Sequence, residues 1–208
     1  MAFRGWPVEA VEFYEGLLAD NSKTYWTAHK STYDNDVAGP MKELVADASG
    51  EFGEGKIFRP YRDVRFSADK TPYKTHIGAL FERGAYVQLS VDGLAAGRGV
   101  WHLEGDALKR YREAVDDDAS GKELVGIVTD LEKQGVEVLS REELKSAPRG
   151  FDKDHPRADL LRRKGLAAWQ SWPVGAWLGT AKAKDRVLGL WRMSEPLHTW
   201  LVQHTQTG

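Results

Sequence analysis

AYVQLSVDGLAAGRGVWHL, residues 85–103, decides the fold. Val87, Leu89 and Val91 alternate with Tyr86, Gln88 and Ser90, the period of a strand with one buried and one wet face. Asp92-Gly93 is a two-residue hairpin signal, because such turns need residues that tolerate positive φ. Leu94 to Leu103 returns as a second strand, in which Gly97 and Gly99 mark a bulge or the close approach of another group.

Working upstream, Arg83-Gly84 turns the chain from a strand near Thr75 to Glu82. Before that lies KIFRPYRDVRFSADKTPYKTH, Lys56 to His76, whose first half reads as a strand to about Phe66 followed by the connection SADKTPYK. On a period of two, Phe58, Val64 and Phe66 share one face and Arg59, Tyr61, Asp63 and Arg65 the other, with Arg62 out of place among the apolar residues. The fold expected is α+β: an antiparallel meander of four to five strands over about residues 56–103, with helices before and after packed on one face. One domain is expected over 1–208, with a Trp-rich helical C-terminal extension from about residue 167.

The flanking helices are read from their spacing. Val8 to Ala19 carries Ala10, Phe13, Tyr14, Leu17 and Leu18 on one face, Asn21-Ser22 caps the next helix, and Gly39-Pro40 breaks or kinks it. Ser120 with Glu123, and Ser140 with Glu143, fit capping boxes. Pro156 suits a first helical position capped by Asp154 or His155. GEFGEGKI, Gly50 to Ile57, nearly matches a phosphate loop, but Ile57 replaces the hydroxyl residue and the order is helix-loop-strand.

Composition removes several function classes. The chain has no cysteine, which excludes disulfides and thiolate chemistry, and its net charge of -2 gives no global field toward nucleic acid or an anionic membrane. The first residues lack the apolar core of a signal peptide and no apolar run reaches membrane-spanning length, so a cytoplasmic protein with no membrane partner is expected. Metal-ligand spacings such as HxxxH or HExxH are missing, so no metal is expected, and no motif implies a cofactor. Trp169, Trp172, Trp177, Trp191 and Trp200, five of the eight tryptophans, read as packing residues of the tail.

Lys56 to His76 is where charge concentrates: Lys56, Arg59, Arg62, Arg65, Lys70 and Lys74 face only two acids, Asp63 and Asp69. Guanidinium forks, ammonium groups and phenol hydroxyls are the donors that hold phosphate or carboxylate. The expectation is a pocket for an anionic small molecule, with Arg59, Arg62, Arg65, Lys70 and Lys74 binding it and Tyr61 and Tyr73 orienting it. Asp63, Asp69 and His155 are the acid–base or supporting groups; His29, His76 and His102 complete the titratable candidates. Whether the protein is an enzyme is left open by these residues. Two other readings compete. Interleaved basic and aromatic side chains also suit single-stranded nucleic acid, and the charges also suit a structural ion-pair network, with Asp152, Asp154 or Asp159 lending partners and the tail docking another protein. Arg62 is the residue that best fits one half of a buried pair.

The segments RPYRDVRFSADKTPYK and DHPRADLLRRKG, with FRGWPVEAVEFYEGL and YVQLSVDGLAAGRG, resemble the domain-of-unknown-function family 2461, uncharacterised proteins of bacteria and fungi. The resemblance runs to about Leu166 and implies family membership, but no activity, cofactor or catalytic residue.

Overall fold

The computed structural model describes residues 2–206. In chain order the elements are α1 (Val8–Ala19), α2 (Lys23–Ala28), α3 (Lys30–Thr32), a π-helical turn (Tyr33–Ala38) and α4 (Gly39–Phe52). Then come β1 (Gly55–Ile57), β2 (His76–Phe81), β3 (Ala85–Ser90), β4 (Gly93–Val100), α5 (Gly105–Asp116) and α6 (Asp118–Lys133). The chain ends with β5 (Glu137–Leu139), α7 (Ala158–Arg162), β6 (Leu166–Trp172), a 3-10 turn (Ala176–Gly179), α8 (Lys182–Met193) and α9 (Glu195–Thr205). The fold is α+β, with an open antiparallel sheet in the order β1-β2-β3-β4-β6-β5. The chain divides into two compact units, Met1–Ala96 with Ser171–Gly189 and Gly97–Gln170 with Leu190–Gly208.

In the first unit the helix read from spacing over Val8–Ala19 is present and buries Ala10, Val11, Phe13, Tyr14 and Leu17. Ser22 caps α2 through its hydroxyl, which accepts from the Tyr25 amide at 3.2 Å. Gly39-Pro40 does not break the chain. The Gly39 amide reaches back five residues to the Asp34 carbonyl, and Pro40, which has no N–H to donate, sits in the first turn of α4. The widened turn is the local answer to a missing donor. In β3 burial alternates strictly, with Ala85, Val87 and Leu89 inward. The hairpin turn differs from a type I′ turn: Asp92 keeps a negative φ, and Gly93 alone takes a left-handed φ of 112°.

In the second unit α5, α6 and α9 pack around Tyr111, Val115, Leu124, Leu131, Trp200 and Leu201. The Tyr111 hydroxyl donates to the Leu160 carbonyl at 3.0 Å, and the Trp200 indole N–H to the Ser120 carbonyl at 3.0 Å. Arg98, only 2% exposed, donates to the Trp191 carbonyl at 2.9 Å and pairs with Glu195.

Five sequence expectations need correction. Pro156 lies in a turn before α7, which starts at Ala158 with Arg157 as the capping position, so it is not a first helical residue. The sheet has six strands, because LAAWQSW at 166–172 is β6 and not helix; three consecutive buried residues, Leu166 to Ala168, erase the alternation that would have disclosed it. The strand from Lys56 to Phe66 stops at Ile57, for reasons given below. Helix α6 is capped by Asp117, whose carboxylate accepts from the Ala119 and Ser120 amides at 3.0 Å each, not by Ser120. Ser140 and Glu143 open no helix: the Ser140 hydroxyl donates to the Glu142 carbonyl at 2.8 Å, and Glu143 forms a β-bridge with Arg163.

The close approach expected at Gly97 and Gly99 is that of β6. A Cβ on Gly97 meets the Trp169 ring at 2.6 Å, and one on Gly99, whose φ is 150°, meets the Leu166 carbonyl at 2.3 Å. Gly99→Ala is therefore expected to lower stability by about 2 kcal/mol or more, while Gly126→Ala, with open space beside it in the interior of α6, is expected to raise stability by up to about 1 kcal/mol. Urea or thermal unfolding of the two variants checks this.

Candidate functional site

The chain between β1 and β2 is a two-limbed ribbon that two prolines keep from becoming a ladder. Pro60 and Pro72 have no N–H, so each contributes only its carbonyl: the Lys74 amide donates to Pro60 at 2.7 Å and the Arg62 amide to Pro72 at 2.9 Å. Between these bonds Tyr61 and Tyr73 form an isolated antiparallel bridge. At its base the Phe58 amide donates to the Gly78 carbonyl at 2.9 Å. A strict period of two along 58–66 therefore misassigned a ribbon end as a sheet strand.

One residue from the helical layer holds this ribbon in place. The Asn21 side-chain amide donates to the Tyr73 carbonyl at 3.0 Å, and its oxygen accepts from the Tyr73 N–H at 3.1 Å, as a neighbouring strand would. The buried Tyr73 ring lies flat on Trp26, with centroids 4.3 Å apart and planes 6° from parallel. Tyr61, half exposed, leans on the same pair.

Charges on the ribbon sort into two groups. Arg62 pairs with Asp69 and also donates to the Thr71 hydroxyl; the pair expected of Arg62 is present but not buried, its two side chains being 30% and 55% exposed. Arg65 forks onto Asp63 at 2.9 and 2.7 Å. Lys70 donates to the Val64 carbonyl at 2.9 Å. Lys56, Arg59 and Lys74 have no carboxylate within ion-pair distance among the described residues. Asp159 is bound to Arg162, and Asp152 accepts from the Asp154 amide, so neither lends the ribbon its charge.

These partners fix the protonation states. Arg62, then the Thr71 amide and hydroxyl, hold the Asp69 carboxyl at about 2. The Arg65 fork holds Asp63 below the usual carboxylate range. Both aspartates are thereby permanent counterions at neutral pH, poorly suited to proton transfer. The bases move the other way. Burial, then the nearby Arg59 charge, pushes the Lys74 ammonium down; burial, then Lys74, pushes the His76 imidazolium down. Lys74 Nζ lies 5.3 Å from the centre of the Phe58 ring.

A cleft of about 480 Å³ opens beside this ribbon, lined by Leu18, Asn21, Arg62, Asp69, Thr71, Tyr73, Lys74, Thr75 and His76. Of the residues expected to bind, it brings together Arg62, Tyr73 and Lys74, with Asp69 among them. Arg59, Tyr61, Asp63, Arg65 and Lys70 stand on the ribbon outside its lining. Asn21, Thr71 and His76 were not in the expected binding set. His76 appeared among the titratable candidates, but Asn21 carried no local signal beyond its place before a helix cap.

His155 belongs to the second unit and to a structural knot. Its Nδ1 accepts from the Arg157 amide at 3.0 Å, and its Nε2 lies 3.3 Å from the Asp116 carboxylate. Arg157, 7% exposed, donates to the Val115 and Asp116 carbonyls at 2.6 and 2.7 Å and to Asp118, closing the end of α5. Gly121 leaves the space: a Cβ there meets Arg157 Nε at 2.6 Å. The remaining cations of DHPRADLLRRKG are similarly engaged, Arg163 on the Val138 carbonyl and Lys164 on Glu142.

Among the described residues no helix is long and apolar enough to cross a membrane, and no group of three or more His, Asp or Glu side chains is placed to hold a metal ion. Fold and ribbon together define an α+β protein with an open antiparallel sheet and a basic, proline-interrupted ribbon beside a cleft. Residues 9–200 match the family described as "Conserved hypothetical protein (DUF2461)", and the chain belongs to that family. The match runs past Leu166 through the tryptophan-rich tail, further than the sequence resemblance reached. No curated protein and no solved structure matches the chain.

Two outcomes follow. Asp69 is expected to titrate near 2 in the native protein, and Arg62→Gln to return it toward about 4; carboxyl-detected NMR reads both. Because the native value lies below the unfolded one, the contribution of this pair is full above about pH 4 and disappears as pH falls through about 2. Arg157→Ala, which strands two carbonyls, is expected to cost about 3 kcal/mol in urea unfolding, against about 0.5 kcal/mol or less for the exposed Lys153→Ala.

Proposed function

We propose that the cleft beside the ribbon binds a small molecule carrying a phosphate or carboxylate group. Lys74 and His76 meet the anion directly, Arg59 adds to the field from outside the lining, and Arg62, Thr71 and Tyr73 shape and orient the wall. The observation that carries this reading is the unbalanced charge on one side of the cleft. Lys74 and His76 are partly buried neighbours, each disfavoured in its charged form by burial and by another cation, and neither has a carboxylate partner among the described residues. Arg62 and Asp69 satisfy each other, so Asp69 is not free to serve Lys74. An anion entering the cleft removes the penalty on both bases at once. Tyr61, Arg65 and Lys70 take a lesser part, as outer groups that draw the ligand in. Asp63 and Asp69 serve as fixed counterions, and no reaction is assigned.

A second reading rests on the tip of the ribbon. Phe66 is 97% exposed, and the Arg65 guanidinium lies 5.9 Å from its ring centre. An aromatic ring and a guanidinium side by side offer a stacking surface for an unpaired base. Salt-sensitive binding of a short oligothymidylate that Phe66→Ala abolishes and Lys74→Ala leaves in place would favour it over the small-molecule reading.

The test of the main reading uses sulfate, whose charge does not change over the working range. Lys74→Ala is expected to weaken sulfate binding by roughly tenfold or more in calorimetry at low ionic strength. Because His76 is depressed in the free protein and favoured as the cation beside an anion, binding takes up a proton and tightens as pH falls from about 7.5 toward about 5.5. His76→Gln flattens that profile. Unchanged binding in Lys74→Ala with an intact fold overturns the assignment.

A further inference from the structure

The second unit holds another cluster of cations that its ion-pair network does not use. Arg149 belongs to the segment Ala147 to Gly165, whose other basic residues are largely committed to structural contacts. Its own side chain, like that of Arg112 on α5, has no hydrogen bond or ion pair among the described residues. Arg112 is the more telling of the two. Its Nε is buried without an acceptor, and burial pushes its guanidinium pKa down. Leaving a partly buried guanidinium without an acceptor is costly.

Both arginines line a cleft of about 370 Å³ together with Leu108, Lys109, Glu113 and Phe151. Lys109 and Glu113 lie 3.8 Å apart and offset one another, so the lining carries an excess of two guanidinium groups. The rest of the wall is apolar, formed by Leu108 and the Phe151 ring. A small organic carboxylate fits this combination: two guanidinium forks take the carboxylate oxygens, and the aliphatic and aromatic side chains take its apolar body. Glu113 disfavours a dianion such as phosphate, which also leaves the apolar wall unused.

We propose that the cleft formed by Arg112, Arg149, Leu108 and Phe151 is a binding site for a small carboxylate with an apolar body. It shares no residue with the cleft beside the ribbon and stands or falls separately from that reading. The experiment is a titration of the full-length protein with benzoate at constant ionic strength, read from the amide resonances of Gly105 and Gly150, which border the cleft. Saturable shifts at millimolar benzoate are expected, with binding about tenfold weaker in Arg149→Ala, an exposed position where folding is not at stake, and in Arg112→Gln. Lys74→Ala leaves this binding unchanged. Shifts that do not saturate, equal affinity in Arg149→Ala, or inorganic phosphate binding as tightly as benzoate would each overturn the proposal.

Discussion

The side-chain amide of Asn21 grips the main chain of Tyr73 from both directions, and the ribbon's geometry depends on that grip. A ribbon with a proline in each limb cannot hold its register by a ladder of its own, because the two positions that should donate lack the hydrogen. Asn21 supplies the missing neighbour from the junction between α1 and α2. The flat stack of Trp26 on Tyr73 fixes the ring of the same residue. Lys74, Thr75 and His76 follow directly in the chain, so the wall of the cleft is positioned by this anchor together with the Lys74 amide on the Pro60 carbonyl and the pairing of His76 with Ser90.

Upon that frame the charges divide by purpose. Asp63 and Asp69 each match one arginine, a pairing that orders the ribbon tip through contacts two to nine residues apart. Among the described residues the cations nearer the base of the ribbon receive no such match, and two of the bases there are pushed toward neutrality by burial and by a neighbouring cation, Arg59 for Lys74 and Lys74 for His76. A purely structural lattice would have neutralised the partly buried positions first and left the exposed ones to water. Here burial does not decide the pairing: the mostly exposed Arg65 and the partly buried Arg62 each have a carboxylate, while among the described residues the partly buried Lys74 and His76 have none. In the second unit Arg157 illustrates the opposite regime, a buried guanidinium whose donors are spent on two carbonyls and a carboxylate at a helix end.

Much of this was readable before any coordinates. Val87 and Leu89 alternate with polar neighbours because β3 has one wet face, and the glycines at 97 and 99 betrayed a close neighbour because no side chain fits there. β6 was hidden for the converse reason: Leu166, Ala167 and Ala168 are all buried, and a strand covered on both faces shows no period. The ribbon looks like a strand because its side chains alternate, but Pro60 and Pro72 each remove a donor from the ladder. Composition located the basic cluster, and Arg62, Tyr73 and Lys74 do line a cleft. Asn21, Thr71 and the position of His76 on the same wall were beyond reach, since tertiary pairing across more than fifty residues brings Asn21 to Tyr73. His155 was read as a helix cap or an acid–base group; its ring nitrogens meet the Arg157 amide and the Asp116 carboxylate, in the second unit and outside the lining of the cleft.

The most direct measurement is the titration of the His76 ring followed by proton NMR, with and without saturating sulfate. If an unmatched pair of bases makes the cleft an anion site, the imidazole titrates below its ordinary value in the free protein and moves upward when sulfate is present. An ordinary value in the free protein that sulfate leaves unmoved would contradict the account.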